Sequence, residues 1–334
     1  SYEQAIKETD VSIILVNTQL GDDGYAADFV EAAISDIAVN LKKTEKPYHT
    51  IVLSSTVLPG SIKKLISDIE KISGKKFEDD FGFAYVPDFV KLGSVIKDFK
   101  NPDFFLVGSN NARDLETVHK VWSKMHQNNC SHESLTLEET EIAKVALNAY
   151  IVSKITFANF LGELCKGLPN VNVHNITNVV GMDQRIGNKF FGAGAPYGGT
   201  CFPRDATAFV KFAKDRNHIA KNLIFAQEVN DMVLNSIAKE CDKYQNIGIL
   251  GLSFKPDSPV TVGSPSVSLL KTIQKQVRVF DYIVQTSENL NIFMEQTPED
   301  LINKSDCIII MHPDKRFAGL NFYNKKVVDP WGML

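Results

Sequence analysis

The chain has 334 residues, 44% hydrophobic and 23% charged, with a formal net charge of −4. That size and balance imply two or three globular domains with sizeable cores, and scattered Lys and Arg on a mildly acidic chain exclude a bulk nucleic-acid binder. No apolar run is long enough to suggest a membrane span, and five widely spaced cysteines with no Cys-x-x-Cys pair or Cys/His cluster predict no metal centre and a reducing, cytoplasmic setting.

In chain order, residues 1–9 read as a short polar helix, and the apolar run Asp10 to Asn17 as a buried parallel strand. Ala26 to Leu41 carries apolar residues at helical spacing. Thr50 to Ser54 is a second buried strand, followed by a helix over Ser61 to Ile72; Gly82 to Val86 and Phe104 to Gly108 are further strands. Alternating strands and helices predict a doubly wound α/β sheet. Such sheets bind ligands beyond the carboxyl ends of their strands. Those ends carry Asn17-Thr18, Ser54-Ser55-Thr56 and Pro87-Asp88. No Gly-x-Gly-x-x-Gly precedes the first strand, so the sheet reads as starting midway through a dinucleotide fold.

A long helical pattern fills Leu135 to Leu168, and it places Lys144 and Asn148 on one face. Those two are either a solvated stripe or a functional pair. Val171 to Val180 is a short helix. The stretch Gly181 to Gly199 is rich in glycine and holds Arg185, Lys189, Phe190 and Phe191; it suits either a phosphate-bearing ligand or a plain surface loop. Helices follow over Asp205 to Asp215 and Ala220 to Tyr244. A second α/β unit completes the chain, with strands at Asn246 to Gly251, Val277 to Asp281, Cys307 to Met311 and Lys326 to Asp329, and helices from Ser264 to about Gln276 and over Pro298 to Asn303.

One stretch carries the clearest chemistry: Gly198-Gly199-Thr200-Cys201-Phe202-Pro203-Arg204-Asp205. Two glycines permit a sharp turn or a close approach, and Pro203 marks a helix start. A helix N-terminus favours anions, so a thiol delivered there is suited to nucleophilic attack, and Arg204 adds positive charge beside it. Asp205 follows one helical turn later. The plain alternative is a glycine turn followed by a small buried cysteine.

Taken together, these motifs resemble the UDP-glucose/GDP-mannose dehydrogenase family, the nucleotide-sugar 6-dehydrogenases. The carriers are Ser55-Thr56-Val57-x-Pro59-Gly60, Pro87-Asp88-Phe89 with Asn101-Pro102-Asp103, Glu141-x-x-Lys144-x-x-x-Asn148-Ala149, Gly181-Met182-Asp183-Gln184-Arg185, Gly198 to Asp205, and Gly251-Leu252-Ser253-Phe254-Lys255-Pro256-Asp257. The resemblance implies two Rossmann-like domains, the first incomplete, joined by a long central helix. It divides the chain into an NAD-binding domain over 1–130, a central dimerisation and catalytic domain over 131–243, and a nucleotide-sugar domain over 244–334.

It further implies NAD as cofactor, a nucleotide sugar as substrate, a cytoplasmic homodimer, and oxidation of C6 from alcohol to acid through a covalent thiohemiacetal and thioester on Cys201. Lys144 and Asn148 would stabilise the oxyanion, and Asp205, Asp88 and Thr56 would complete the catalytic set. Phe190, Phe191, Gly192, Gly198, Lys255 and Arg185 would line the substrate, with Arg185 reaching a neighbouring subunit. Asn17, Thr18, Ser55 and Thr56 would face the cofactor. The sequence departs from the family at Asp88, where the family has Glu, and at Thr261-Val262-Gly263-Ser264, where it has Thr-Arg-Glu-Ser. A single-hydride β-hydroxyacid dehydrogenase and an inactive nucleotide-sugar-binding relative are the competing readings.

Overall fold

Apolar runs with no polar alternation become strands covered on both faces. The computed structural model describes residues 1–334 except 19, 22, 23, 274 and 287–289, and its chain divides into two compact units, residues 1–147 with 207–218, and 148–206 with 219–334.

The first unit opens with helix α1 (Tyr2–Glu8) and strand β1 (Val11–Ile14), then the small hairpin β2 (Leu20–Gly21) and β3 (Gly24–Tyr25). It continues through α2 (Asp28–Leu41), β4 (His49–Leu53), α3 (Ser61–Ser73), β5 (Phe81–Tyr85), α4 (Val95–Lys100), β6 (Phe104–Gly108), α5 (Ala112–Trp122), β7 (Ser131–Leu135) and the start of α6 (Leu137–Cys165). The main sheet has the order β1-β4-β5-β6-β7.

Successive strand side chains point to opposite faces. Ile51, Leu53, Phe81, Phe83 and Tyr85 therefore pack under α1, α2 and α3, with Ile6, Ile34, Leu41, Ile62 and Ile69. Val52, Ala84, Phe105 and Val107 take the other face, under Val118 and Trp122 of α5. This is the doubly wound layering expected from the sequence. One pairing departs from a uniform parallel sheet: β6 meets β5 antiparallel, at Tyr85 and Gly108, and β7 then runs parallel to β6. The hairpin, α4, α5 and β7 were not legible as elements, because their segments are short or polar.

The second unit holds the rest of α6, then α7 (Val173–Gly181), α8 (Cys201–Asp215), whose residues from Thr207 onward count with the first unit, and α9 (Lys221–Cys241). Its sheet is built from β8 (Ile247–Leu250), β9 (Val277–Phe280), β10 (Ile292–Met294), β11 (Cys307–Ile310) and β12 (Lys326–Val328), with helices α10 (Pro265–Thr272), α11 (Pro298–Lys304) and α12 (Lys315–Ala318). Every pairing in it is parallel, in the order β10-β9-β8-β11-β12. That is a Rossmann-type order, with its topological switch between β8 and β11. Ile247, Ile249, Cys307 and Ile309 face one core, and Leu250, Ile308 and Ile310 the other. Helix α10 ends at Thr272, short of the expected Gln276; residue 274 lies outside the described residues.

Contrary to the expectation that no run reaches membrane length, the 29-residue α6 is long and apolar enough by length and composition, and a third of its most apolar window is buried within the fold.

One buried titratable group in the first unit makes its stability depend on pH. His49 is fully buried on β4, where its Nε2 meets Ser12 Oγ at 2.8 Å. Burial, with the Lys46 charge nearby, lowers its pKa to about 4. The unfolded chain charges this imidazole below about pH 6.5, whereas the folded chain holds it neutral down to about 4. The unfolded state therefore binds more protons in that window. Stability is full above about pH 6.5 and falls as the pH drops towards 4, by up to about 3 kcal/mol. Denaturant unfolding of the parent and of His49→Gln between pH 4 and 7 checks this, and the variant's stability should vary less with pH.

Candidate active site

Cysteine 201 is exposed and is the first residue of α8, a 15-residue helix. The chain reaches it through a turn that only glycine fits. Gly199 has φ +79°, and its N–H donates to the Gly263 carbonyl at 2.9 Å. A Cβ on Gly198 would stand 2.3 Å from that same carbonyl oxygen, and one on Gly199 would lie 2.7 Å from Cδ2 of Phe254. Gly263 is left-handed too, and a Cβ there would meet the Gly199 carbonyl at 2.5 Å. The strand-to-helix loop after β8 and the loop before α8 thus touch backbone to backbone, and the turn presents Cys201 at the helix start.

One helical turn beyond Cys201, Asp205 is wholly buried. Its Oδ2 accepts from Asn148 Nδ2 of α6 at 2.5 Å, and its Oδ1 from Arg204 Nε at 3.1 Å. The expected positive charge beside the thiol is therefore engaged with the neighbouring carboxylate. The Asn148 amide and the Asp205 carboxylate orient each other, so Asn148 is half-buried and hydrogen-bonded, not part of a solvated stripe.

The Gly181–Gly199 stretch is tied down more firmly than its composition suggests. Lys154 donates to the carbonyls of Ile186 and Gly187 at 2.9 and 3.1 Å. Asn159 of α6 accepts from the Gly194 N–H at 2.8 Å, and Asn230 of α9 donates to the Tyr197 carbonyl at 3.1 Å. Phe191 is buried and stacks on Phe157, with ring centroids 6.1 Å apart. Phe190, at φ +60°, is half-exposed and meets Phe202 edge-on at 6.0 Å. Gly192 faces open space, with nothing within 4 Å of where a Cβ would be. Lys255 has its ammonium 5.6 Å from the Phe254 ring centroid. Phe190, Phe254, Lys255, Gly198 and Cys201 thus belong to connected parts of the second unit.

Arg185 is a different case: its side chain is 88% exposed and forks onto Asp183 at 2.6 Å. Val262, where the family pattern has Arg, is exposed.

The loop after β8 is organised by Asp281 at the end of β9. Buried, it accepts from the N–H groups of Leu252 and Ser253 at 2.8 and 3.0 Å, from Ser253 Oγ at 2.9 Å, and from the N–H groups of Ile283 and Val284. Burial alone would raise its pKa, but hydrogen bonds from His312 and from these backbone amides carry it far below the usual carboxylate range. His312 lies buried 3.4 Å from it.

In the first unit, Lys144 is only 6% exposed. Its ammonium donates to the Asp88 backbone carbonyl and lies 4.8 Å from the Phe89 ring centroid. Burial pushes the Asp88 carboxyl up, against the opposing pull of Lys144. Glu141, one turn earlier on α6, accepts from the N–H groups of Gly60 and Ile62 at 2.9 Å each, capping α3. It thereby sets the rotation of α6 that aims Lys144 at Asp88. At the carboxyl ends of the neighbouring strands β1 and β4, Thr18, Ser55 and Thr56 are buried and Asn17 is exposed. Ser55 Oγ both accepts from the Val16 N–H (2.7 Å) and donates to its carbonyl (2.8 Å), so it holds the end of β1 in place.

Sequence reasoning missed Glu141, Asn159, Asn230, Phe254, Gly263 and Asp281 as supports of the site. Polar residues inside otherwise apolar helix faces were the available signal for the first three.

Sequence models of the UDP-glucose/GDP-mannose dehydrogenase family match the chain in order: the NAD binding domain over residues 1–126, the central domain over 138–232 and the UDP binding domain over 248–334. A UDP-glucose 6-dehydrogenase of Rhizobium meliloti is 29% identical, over 95% of this chain and 75% of that protein. One of Haloferax volcanii is 28% identical, over 95% of this chain and 76% of its own length. Among solved structures, a UDP-glucose dehydrogenase from Pyrobaculum islandicum superposes with a TM-score of 0.91 at 26% identity, covering all of this chain and 79% of the other. A UDP-D-ManNAc dehydrogenase from Pyrococcus horikoshii shares the fold, with a TM-score of 0.84 at 21% identity, over 99% of this chain and 79% of the other.

The glycine contact yields a prediction. Gly199→Ala forces both a left-handed alanine and a clash with Phe254, so it should lower stability by about 2 kcal/mol and cut turnover at least about 10-fold by misplacing Cys201. Thermal unfolding and steady-state kinetics read the two effects separately; a fully active, equally stable variant would contradict the assignment.

Proposed function

Because the chain belongs to the UDP-glucose/GDP-mannose dehydrogenase family, NAD-dependent oxidoreductases of nucleotide sugars, we propose that it oxidises a UDP-sugar twice at C6, to the uronic acid, through a covalent intermediate on Cys201. The carrying observation is an exposed thiol at the first residue of α8, with a buried, Asn148-held carboxylate one turn behind it. The UDP binding domain match over 248–334 and the two UDP-glucose 6-dehydrogenase relatives favour UDP as the nucleotide. Glucose or an N-acetylhexosamine is the sugar.

NAD⁺, when bound, accepts the hydride removed in each of the two oxidations. The buried hydroxyls of Thr18 and Thr56 at the ends of β1 and β4 stand where an open α/β sheet takes its ligand, so they fit its nicotinamide end; Ser55 shapes the same edge, and Asn17 lies beside it.

The protein's own groups divide the remaining work. In the first oxidation the C6 carbon gives up a hydride while its hydroxyl gives up a proton to solvent water, and Lys144 stabilises the developing alkoxide by its charge. The Cys201 thiolate adds to the aldehyde carbon, forming one C–S bond and a thiohemiacetal oxyanion. Lys144 and Asn148 donate to that oxygen. Loss of the second hydride leaves a thioester on Cys201. Water then attacks the acyl carbon, the C–S bond breaks, and the thiolate is regenerated with release of the carboxylate. Asp205 orients that water and moves its proton. Asp88, its carboxyl raised by burial against the opposing pull of Lys144, assists at the same carbonyl; it is one methylene shorter than the family's Glu.

Lys255 and Phe190, with Gly192 and Gly198 leaving room, bind the nucleotide sugar. Phe191 anchors the same loop by stacking on Phe157, and Arg185 adds charge for a diphosphate at a subunit boundary.

We also read the chain as a cytoplasmic homodimer. Tyr150, Phe157 and Leu164 recur every seven residues along α6 and all are exposed, which makes an apolar stripe that a second copy would cover. A reducing compartment accords with the free thiols, including Cys241 and Cys307, which lie buried 3.5 Å apart. The domain division 1–130, 131–243 and 244–334 stands as part of this reading.

Two outcomes are expected. NADH released per uronate formed should be two, and Cys201→Ser should form no uronate; one NADH per turnover would indicate a single oxidation and sink the thioester route. Lys144→Ala should lower kcat about 10²- to 10³-fold. A screen of UDP- and GDP-sugars for NADH formation identifies the substrate. Separately, Phe157→Asp should halve the mass measured by light scattering on a sizing column, and an unchanged mass would place the subunit contact elsewhere.

A further inference from the structure

Three imidazoles and a thiol gather at one end of the first unit, on the segment joining α5 to the edge strand β7. His119 lies in the last turn of α5, His126 and Cys130 in the following loop, and His132 on β7. The sequence reading saw no Cys/His cluster, because the spacing His-x6-His-x3-Cys-x-His matches no common zinc pattern. The fold closes it: one ligand atom from each of His126, Cys130 and His132 lies within 4.8 Å of the others. Cys130 Sγ is 3.8 Å from His126 Nδ1, and His119 Nδ1 is 3.2 Å from His132 Nδ1.

We propose that His126, Cys130 and His132, with His119 as the fourth donor, form a transition-metal site suited to Zn²⁺.

Four features carry this assignment. The side chains turn donor atom to donor atom. An aromatic cluster built only for packing on Phe105, which the three imidazoles surround at centroid distances of 5.0 to 5.6 Å, does not require that. Two of the donor separations, 3.2 Å between His119 and His132 nitrogens and 3.8 Å between the His126 nitrogen and the Cys130 sulfur, also lie near those a metal imposes. Zinc bonds of 2.0–2.1 Å to nitrogen and 2.3 Å to sulfur put tetrahedral neighbours about 3.3 Å apart for two nitrogens and about 3.6 Å for nitrogen and sulfur.

The set is partly oriented already, since the other ring nitrogen of His119, Nε2, meets Ser134 Oγ at 3.0 Å. That is the outer hydrogen bond that metal-ligating histidines use to fix ring and tautomer. Finally, all four donors come from a 14-residue segment, so little loop entropy opposes assembly, and Phe105 and Trp122 supply an apolar floor. Mixed imidazole and thiolate donors favour Zn²⁺ over Mg²⁺ or Ca²⁺. The ion would staple the α5–β7 connection onto the sheet edge, on the strand that precedes α6.

The test uses the full chain carrying Cys201→Ser, so that the active-site thiol cannot bind metal. The metal-free protein is titrated with Zn²⁺ by calorimetry, and with Co²⁺ followed by absorbance. One equivalent should bind, with a thiolate-to-cobalt charge-transfer band and a zinc-induced rise in melting temperature. Adding Cys130→Ser should abolish the band. Adding His132→Asn should weaken Zn²⁺ binding more than about 10-fold, and adding Ser134→Ala about 10-fold. X-ray absorption on the zinc-loaded protein, which needs no ligand variant to fold, should report one sulfur and three nitrogens. The proposal is overturned if no stoichiometric Zn²⁺ binds, if the Cys130→Ser protein keeps the charge-transfer band, or if the zinc shell lacks sulfur.

Discussion

The second unit turns on a contact between two pieces of bare backbone. Gly198 and Gly199 on one loop and Gly263 on another approach so closely that any Cβ at the three positions would strike a carbonyl or the Phe254 ring. The contact fixes where α8 begins, and α8 begins at Cys201. A nucleophile on an ordinary loop would sample many positions. Here one N–H to carbonyl bond of 2.9 Å and two left-handed glycines over-determine the approach. The same contact ties Cys201 to the loop bearing Lys255, so the thiol and this cation share one piece of scaffolding.

Two buried carboxylates do for the loops what the glycines do for the turn. Asp281 gathers four backbone N–H groups and the Ser253 hydroxyl at the end of β8, close to the topological switch of the parallel sheet. Glu141 gathers two N–H groups at the start of α3 and so anchors the helix that carries Lys144. Neither acts on substrate in the proposed mechanism. Each removes orphan donors from a loop that would otherwise need water, and each uses a charge buried only because several amides satisfy it. Asn148 and Asp205 extend the same economy, since the pair is a structural bond and, in the proposed mechanism, a functional dyad.

How far the sequence revealed these features depended on how local their causes were. Runs such as residues 51–53 and Cys307–Ile310 announced buried strands because every position is apolar. The motif around Cys201 was legible because glycine, proline and cysteine each restrict the backbone or the chemistry in a way no other residue does. The strand β7, Ser-His-Glu-Ser-Leu, was not, since its strand character comes from pairing with β6 and not from its own side chains. The reversal of β6 against β5 escaped for the same reason: one bridge between Tyr85 and Gly108 decides it. Arg204, expected to support the thiol, instead bonds its own neighbour Asp205.

By itself the sequence determined the layering, the placing of a thiol at a helix start and the family, because apolar periodicity and residue chemistry are local properties that survive without coordinates. Tertiary structure decided which residues face each other. It set Gly199 against Gly263 across 64 positions, Asn148 against Asp205 across 57, and Glu141 against the start of α3. It also drew His119, His126, Cys130 and His132 into one cluster. Such pairings depend on strand order and helix rotation, which are settled only when the two faces of each sheet are buried together.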